Sequence, residues 1–240
     1  MTISSRRVRA IVRKDVTEYR RSKSIVSTML VLPMMFLIEP LVSVLTLPAT
    51  QSGALRHEQP LLYLLAIPAL VPAILSAYAV VGERQQGTLE PVLTTPIRRE
   101  EFLLAKALSA LIPSVLVAYV VYGVFLAVVG IFAAPGVATS LIHWPELLAQ
   151  LAFTPLLAAW SIWLGITIST RASEVRVAQQ LGLLANLPSV AVTSLIAFRV
   201  IPQTGTVAAA GAVVLLILIR LGWRVASAAF DRERLIVGIR

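Results

Sequence analysis

Residues 107–132 read ALSALIPSVLVAYVVYGVFLAVVGIF, an unbroken apolar run without a charged residue. A helix rises about 1.5 Å per residue and a bilayer's hydrocarbon core is about 30 Å thick, so about 20 such residues cross it. A helix apolar on every side has no face to offer water and belongs in lipid or in a packed interior. Working outward, five further stretches have the length and character of spans: Ile25–Leu47, Leu61–Val81, Leu147–Ser169, Ala178–Phe198 and Gly205–Leu221. The first contains Glu39. The last is short and ends at Arg220, whose long side chain can reach the headgroups. The whole chain agrees: 58% of its 240 residues are hydrophobic, 14% are charged, and mean hydropathy is +0.84. A soluble domain has about 45–50% apolar and about 25% charged residues, so the excess needs an apolar solvent. The fold expected is all-α, an integral membrane protein with six transmembrane helices.

Six spans put both termini on one side. The segments on that side, 1–24, 82–106, 170–177 and 220–240, hold eight, four, two and five of the 21 Lys and Arg residues; the other side holds only Arg56 and Arg199. The positive-inside rule then places both termini in the cytoplasm of a multi-pass protein of the cell (inner) membrane. It also accounts for the net charge of +9 through topology and headgroup contact, so no nucleic-acid partner is expected. Residues 1–24 are not expected to be a cleaved signal, because the apolar run after them is too long and lacks a small-residue cleavage site. Within them, Val8, Ile11, Val12, Val16 and Tyr19 fall on one helical stripe with arginines on the remaining faces. This predicts an amphipathic interfacial helix with its apolar face towards the acyl chains. The organisation expected is a cytoplasmic helix at 1–24, a transmembrane domain at 25–221 with a polar loop at 82–101, and a cytoplasmic tail at 222–240.

The loop is the most informative polar segment. Gly87 can end a helix arriving from the second span, because glycine tolerates positive φ. Thr88–Leu93 can form a short turn, and Pro96 disfavours helix at Thr95. Glu100 and Glu101 suit the positive end of the next helix. Such an elbow across the mouths of two spans is a mechanical handle. Glu83-Arg-Gln-Gln-Gly-Thr-Leu-Glu-Pro-Val-Leu-Thr-Thr-Pro, followed by Glu101 and Lys106, resembles the signature loop of type-2 ABC transporter permeases, the membrane-spanning subunits of ABC exporters. The resemblance implies that this is the cytoplasmic coupling loop docking on an ATP-binding subunit. It carries over to Glu83, Gly87, Thr88, Leu89, Glu90, Leu93, Thr95, Pro96, Glu101 and Lys106; Ala105 stands where the family often has Gly. The turn at 168–181 and the tail at 230–235 are similar to the family's fourth-to-fifth-span turn and C-terminal tail. The resemblance further implies a second permease subunit, identical or related, and two ATP-binding subunits. It implies amphipathic cargo, drug-like or lipid-like, moved outward. Relatives often carry short helices dipping into the outer leaflet before the last span, for which 178–221 leaves little room.

The chain has no G-x-x-x-x-G-K-[ST] motif, so ATP and Mg are expected on the partner subunit and no cofactor on this chain. No zinc-protease or nucleophile-elbow motif occurs, and no enzyme activity is expected. His57 and His143 lie far apart and are not expected to bind metal. Glu39 is the one acid well inside a span, where a charge costs about 2.5–3.5 kcal/mol on insertion scales; it is the candidate for the translocation path. A secondary transporter or channel using Glu39 is the alternative function. Trp144, Trp160, Trp163 and Trp223 are expected in an interfacial belt. Prolines 33, 68, 72, 113 and 188 are expected to kink spans.

Overall fold

The computed structural model describes residues 4–46, 60–88, 97–134, 137–141 and 143–229, all of them helical or in short connections. The helices are α1 (Ser5–Arg21), α2 (Lys23–Thr46), α3 (Pro60–Gln85), α4 (Arg99–Phe132), α5 (Val137–Leu141), α6 (Trp144–Arg171), α7 (Val175–Ala197) and α8 (Gly205–Ala229). Among the described residues, six of these are long and apolar enough to cross a membrane: α2, α3, α4, α6, α7 and α8. Each coincides with a span expected from the sequence, and each is longer at one end or both. Helix α4 begins eight residues before Ala107, and α8 continues past Leu221 to Ala229.

The third helix is the axis of the bundle. In its most apolar stretch 94% of residues are buried, against 11–44% in the other spans. It touches α2, α4, α6 and α7, whereas α8 lies outside, mainly on α6. Close approach is possible because small residues face the axis. A Cβ added at Gly165 of α6 would collide with the Ser76 hydroxyl oxygen, and one at Gly182 of α7 would lie 3.4 Å from the Ala73 Cβ. The surface left over is apolar, with Met35, Leu116, Leu184 and Val213 all exposed. That surface suits lipid or a second subunit.

Several expectations change. Trp163 is buried rather than interfacial, edge-on to Trp223 with ring centroids 5.0 Å apart, over the space left by Gly222. Trp160 donates to Ser189 at 3.2 Å, while Trp144 is exposed as a belt residue would be. Pro188 lies inside an unbroken α7, and residues 198–204 connect α7 to α8 without a helix, so no short dipping helix precedes the last span among the described residues. The connection is tight because α7 ends in a Schellman turn: Val200 N–H donates to Leu195 C=O and Arg199 N–H to Ile196 C=O, with Arg199 at φ 56°. The stripe of α1 also finds protein: Val8 and Tyr19 are buried and α1 packs on the start of α4, while Val12 and Val16 stay half-exposed.

Candidate functional site

The elbow is assembled at the end of α3. The apolar part of α3 stops at Val81, where Tyr78–Gly82 form one wide turn of π-helix. Such a turn disturbs the regular hydrogen-bond ladder. Ser169 of α6 repairs it: its hydroxyl donates to Ala77 C=O at 2.8 Å and accepts from Val80 and Val81 N–H at 3.1 and 3.0 Å. The extra width turns Glu83 inward. Gly87 then ends the helix at φ 70°, with Gly87 N–H on Arg84 C=O and Thr88 N–H on Glu83 C=O. This is the Schellman geometry that glycine allows at little cost, and it bears out the reading of Gly87 as a helix stop.

Glu83 is the hub of a buried ion cluster. Lys106 Nζ donates to Glu83 Oε1 at 2.6 Å and to Asp15 Oδ1 at 3.0 Å, and Lys14 Nζ reaches the same Glu83 oxygen at 2.8 Å. Thr88 donates to Glu83 Oε2, and Ser109 donates to Asp15 Oδ2 at 2.9 Å. Side-chain exposure is 3% for Lys106, 2% for Asp15 and 7% for Glu83. The Lys106 ammonium also lies 5.6 Å from the Phe102 ring centroid, a favourable cation–π distance. Burial alone would raise the Glu83 carboxyl. The Lys106 charge and the hydrogen bonds from Lys106, Lys14 and Thr88 outweigh it and hold the group down at about 2. Burial would likewise lower Lys14, but its contact with Glu83 leaves it raised.

A second cluster lies alongside. Glu101, at the first turn of α4, accepts the Ser4 N–H at 2.9 Å, the Arg98 N–H at 3.1 Å and the Arg7 guanidinium at 3.3 Å. The backbone donors chiefly, and Arg7 after them, lower its carboxyl. Arg84 donates to Ala172 C=O, tying the elbow to the α6–α7 turn, where Ala77, Val81, Ala172 and Ala178 pack together. One charged layer therefore fastens α1, the end of α3, the start of α4 and the α6–α7 turn.

The structure brings together Glu83, Thr88, Glu101 and Lys106 from the sequence reading; Gly87 closes the helix beside them. Leu89, Glu90, Leu93, Thr95, Pro96 and the tail at 230–235 lie outside the described residues. Glu83 points inward, and the elbow residues exposed to a partner are Gln85, Gln86 and Gly87. Glu39 is elsewhere, on the outward face of α2 beside exposed Ile38 and Met35.

A family model described as "ABC-2 family transporter protein" matches residues 9–213. The chain belongs to this family. No curated protein matches it individually. The ABC-2 match covers most of α1, the Lys106–Glu83–Asp15 cluster and most of the bundle, so the chain is a multi-pass membrane permease of an ABC transporter. As a transport subunit of this family it is not itself the catalytic component. In this permease the sequence reading missed Asp15, Ser109 and Ser169. Asp15 was detectable: it sits seven residues after Val8 and four before Tyr19, on the same stripe, an acid on the apolar face of a basic helix.

Proposed function

We propose that this permease exports an amphipathic cargo, powered by ATP hydrolysed on separate ATP-binding subunits that dock at the elbow. The observation that supports this reading most is the Lys106–Glu83–Asp15 cluster. A buried, fully paired charge network is a stiff joint. It joins α1 and the mouths of α3 and α4, so a push on exposed Gln85–Gly87 moves the axial helix together with its neighbours. Leu89, Glu90, Leu93 and Pro96 complete the docking loop in this reading, and Glu83, Gly87 and Thr88 shape it. ATP and Mg sit on the partner. The elbow, α1 and both termini face the cytoplasm of the cell membrane, as the basic residues favour. A second permease subunit, the same chain or a related one, covers part of the exposed apolar surface. Glu39 is the candidate path residue on that surface, because its outward face becomes interior only when a second subunit packs against it.

The experiment is co-purification with an ATP-binding subunit in lipid nanodiscs, followed by ATPase assays with cationic and neutral amphiphiles. Glu83→Gln and Lys106→Met should leave binding within about threefold and abolish cargo-stimulated hydrolysis. Unchanged stimulation in both variants would overturn the coupling role. The alternative, ion-coupled transport through Glu39, predicts uptake or efflux driven by an ion gradient without nucleotide and abolished by Glu39→Gln.

A further inference from the structure

Most hydroxyls inside the spans satisfy themselves on their own helix: Thr167 donates to Trp163 C=O, Ser227 to Trp223 C=O and Thr193 to Ser189 C=O. One set does not. On α6, Glu146 Oε2, both polar atoms of Gln150, Thr154 Oγ1 and Ser161 Oγ are buried with no hydrogen-bond partner among the described residues. Gln150 is 1% exposed, and Thr154 and Ser161 are fully covered. Asn186 Oδ1 of α7 and the Tyr122 hydroxyl of α4 are orphaned in the same way.

These atoms share a direction. Positions 146, 150, 154, 161 and 165 lie on one face of α6, and Gly165 fixes that face, since its missing Cβ points at Ser76 of α3. Asn186 stands one turn beyond Gly182, which faces Ala73 of α3. The orphaned atoms of α6 and α7 therefore line the axial helix, those of α6 over about 22 Å from Glu146 to Ser161, most of the membrane core; Tyr122 shares a buried cluster with Leu61, Leu64 and Ile67 of the same helix. Each buried, unpaired polar group forfeits the hydrogen bonds that water would give it, and lipid offers no relief. A row of them in one place is retained where another arrangement pairs them.

We infer that the seam between α3 and α6 is a hydrated binding route that takes the hydrogen-bonding end of an amphipathic cargo. Deepening the transport reading, it also fixes the ligand's class. The seam offers hydroxyls, amides and one carboxylate, and α6 has no basic residue between Glu146 and Arg171. Neutral or cationic hydroxyl- or amine-bearing groups fit it; anions do not. It is separate from Glu39, which stands on the outer surface of α2.

The chain has no cysteine, so single-cysteine labelling needs no prior engineering. Gln150→Cys, Thr154→Cys and Ser161→Cys, in liposomes with and without the ATP-binding subunit and nucleotide, should react with a small water-borne thiol reagent at least tenfold faster than Ile162→Cys, which is equally buried but lies off that face in an apolar cluster. Tetradecylamine should slow the reaction at least threefold, and tetradecanoate should not. Radiolytic hydroxyl-radical labelling of the unmutated chain should oxidise Tyr122 well above Phe125. Rates equal to Ile162→Cys in every state, with Tyr122 protected like Phe125, would overturn the hydrated seam. Fast labelling indifferent to the amine would overturn the ligand class. Neither result depends on a partner: if no ATP-binding subunit engages the chain, the export reading fails while labelling of the isolated chain still reports on the seam.

Discussion

Lys106→Met is the most informative single change. It preserves the length and apolar stem of the side chain and deletes the one ammonium that serves both Asp15 at 3.0 Å and Glu83 at 2.6 Å. Breaking a buried ion pair by removing one partner costs about 3–5 kcal/mol, because the remaining charge is left desolvated. Here Glu83 keeps Lys14 and Thr88, and Asp15 keeps Ser109, so the cost falls at the lower end, about 3 kcal/mol. For a chain of this size, 1 kcal/mol moves the melting temperature by about 2–4 °C, so a fall of about 6–12 °C is expected. The assay is thermal unfolding of the purified permease in nanodiscs, followed by intrinsic tryptophan fluorescence. The double variant Asp15→Asn, Lys106→Met removes the stranded charge and should recover at least half of the loss. A fall of under about 2 °C, or no recovery in the double variant, would refute the cluster as the joint of the elbow.

Acid should loosen the same joint. The Glu83 carboxyl titrates at about 2 in the folded chain against 4.5 free, so between those values the unfolded chain holds more protons and falling pH favours it. Melting temperature should be flat above about pH 5 and drop between about 4.5 and 2, less so in Glu83→Gln, as a pH series of the same fluorescence melts will show. Gly165→Ala should destabilise by about 1–3 kcal/mol in urea or thermal unfolding, since the new Cβ would meet the Ser76 Cβ at 2.9 Å. Arg199→Gly should raise stability by about 1 kcal/mol, because the backbone at φ 56° suits glycine; an unchanged or lower melting temperature would contradict the strain assigned to that turn.

The spans were legible because their signal is collective: twenty apolar residues outvote any local exception. The helix stop at Gly87 was legible because one residue type answers one backbone need. The ion cluster was only half legible. Lys106 reads as the last charge before an apolar run, and nothing in its neighbours says that it turns back to residues 23 and 91 positions away. Asp15 was hidden by the arginines around it. Ser169 looks like any hydroxyl at a span's end, and only the π turn of α3 gives it a task. Trp163 was misplaced because belt and core tryptophans share a composition; the vacancy at Gly222 that decides between them belongs to another helix.

In the proposed function, energy enters through the elbow from a nucleotide-hydrolysing partner on the cytoplasmic side. A photo-crosslinking residue at exposed Gln86, in intact cells, reports what touches the elbow. A single adduct is expected, with a protein that binds an ATP analogue, formed from inside the cell and diminished in Gly87→Val. No adduct with an ATP-binding protein, or labelling of position 86 by an impermeant reagent from outside, would contradict it.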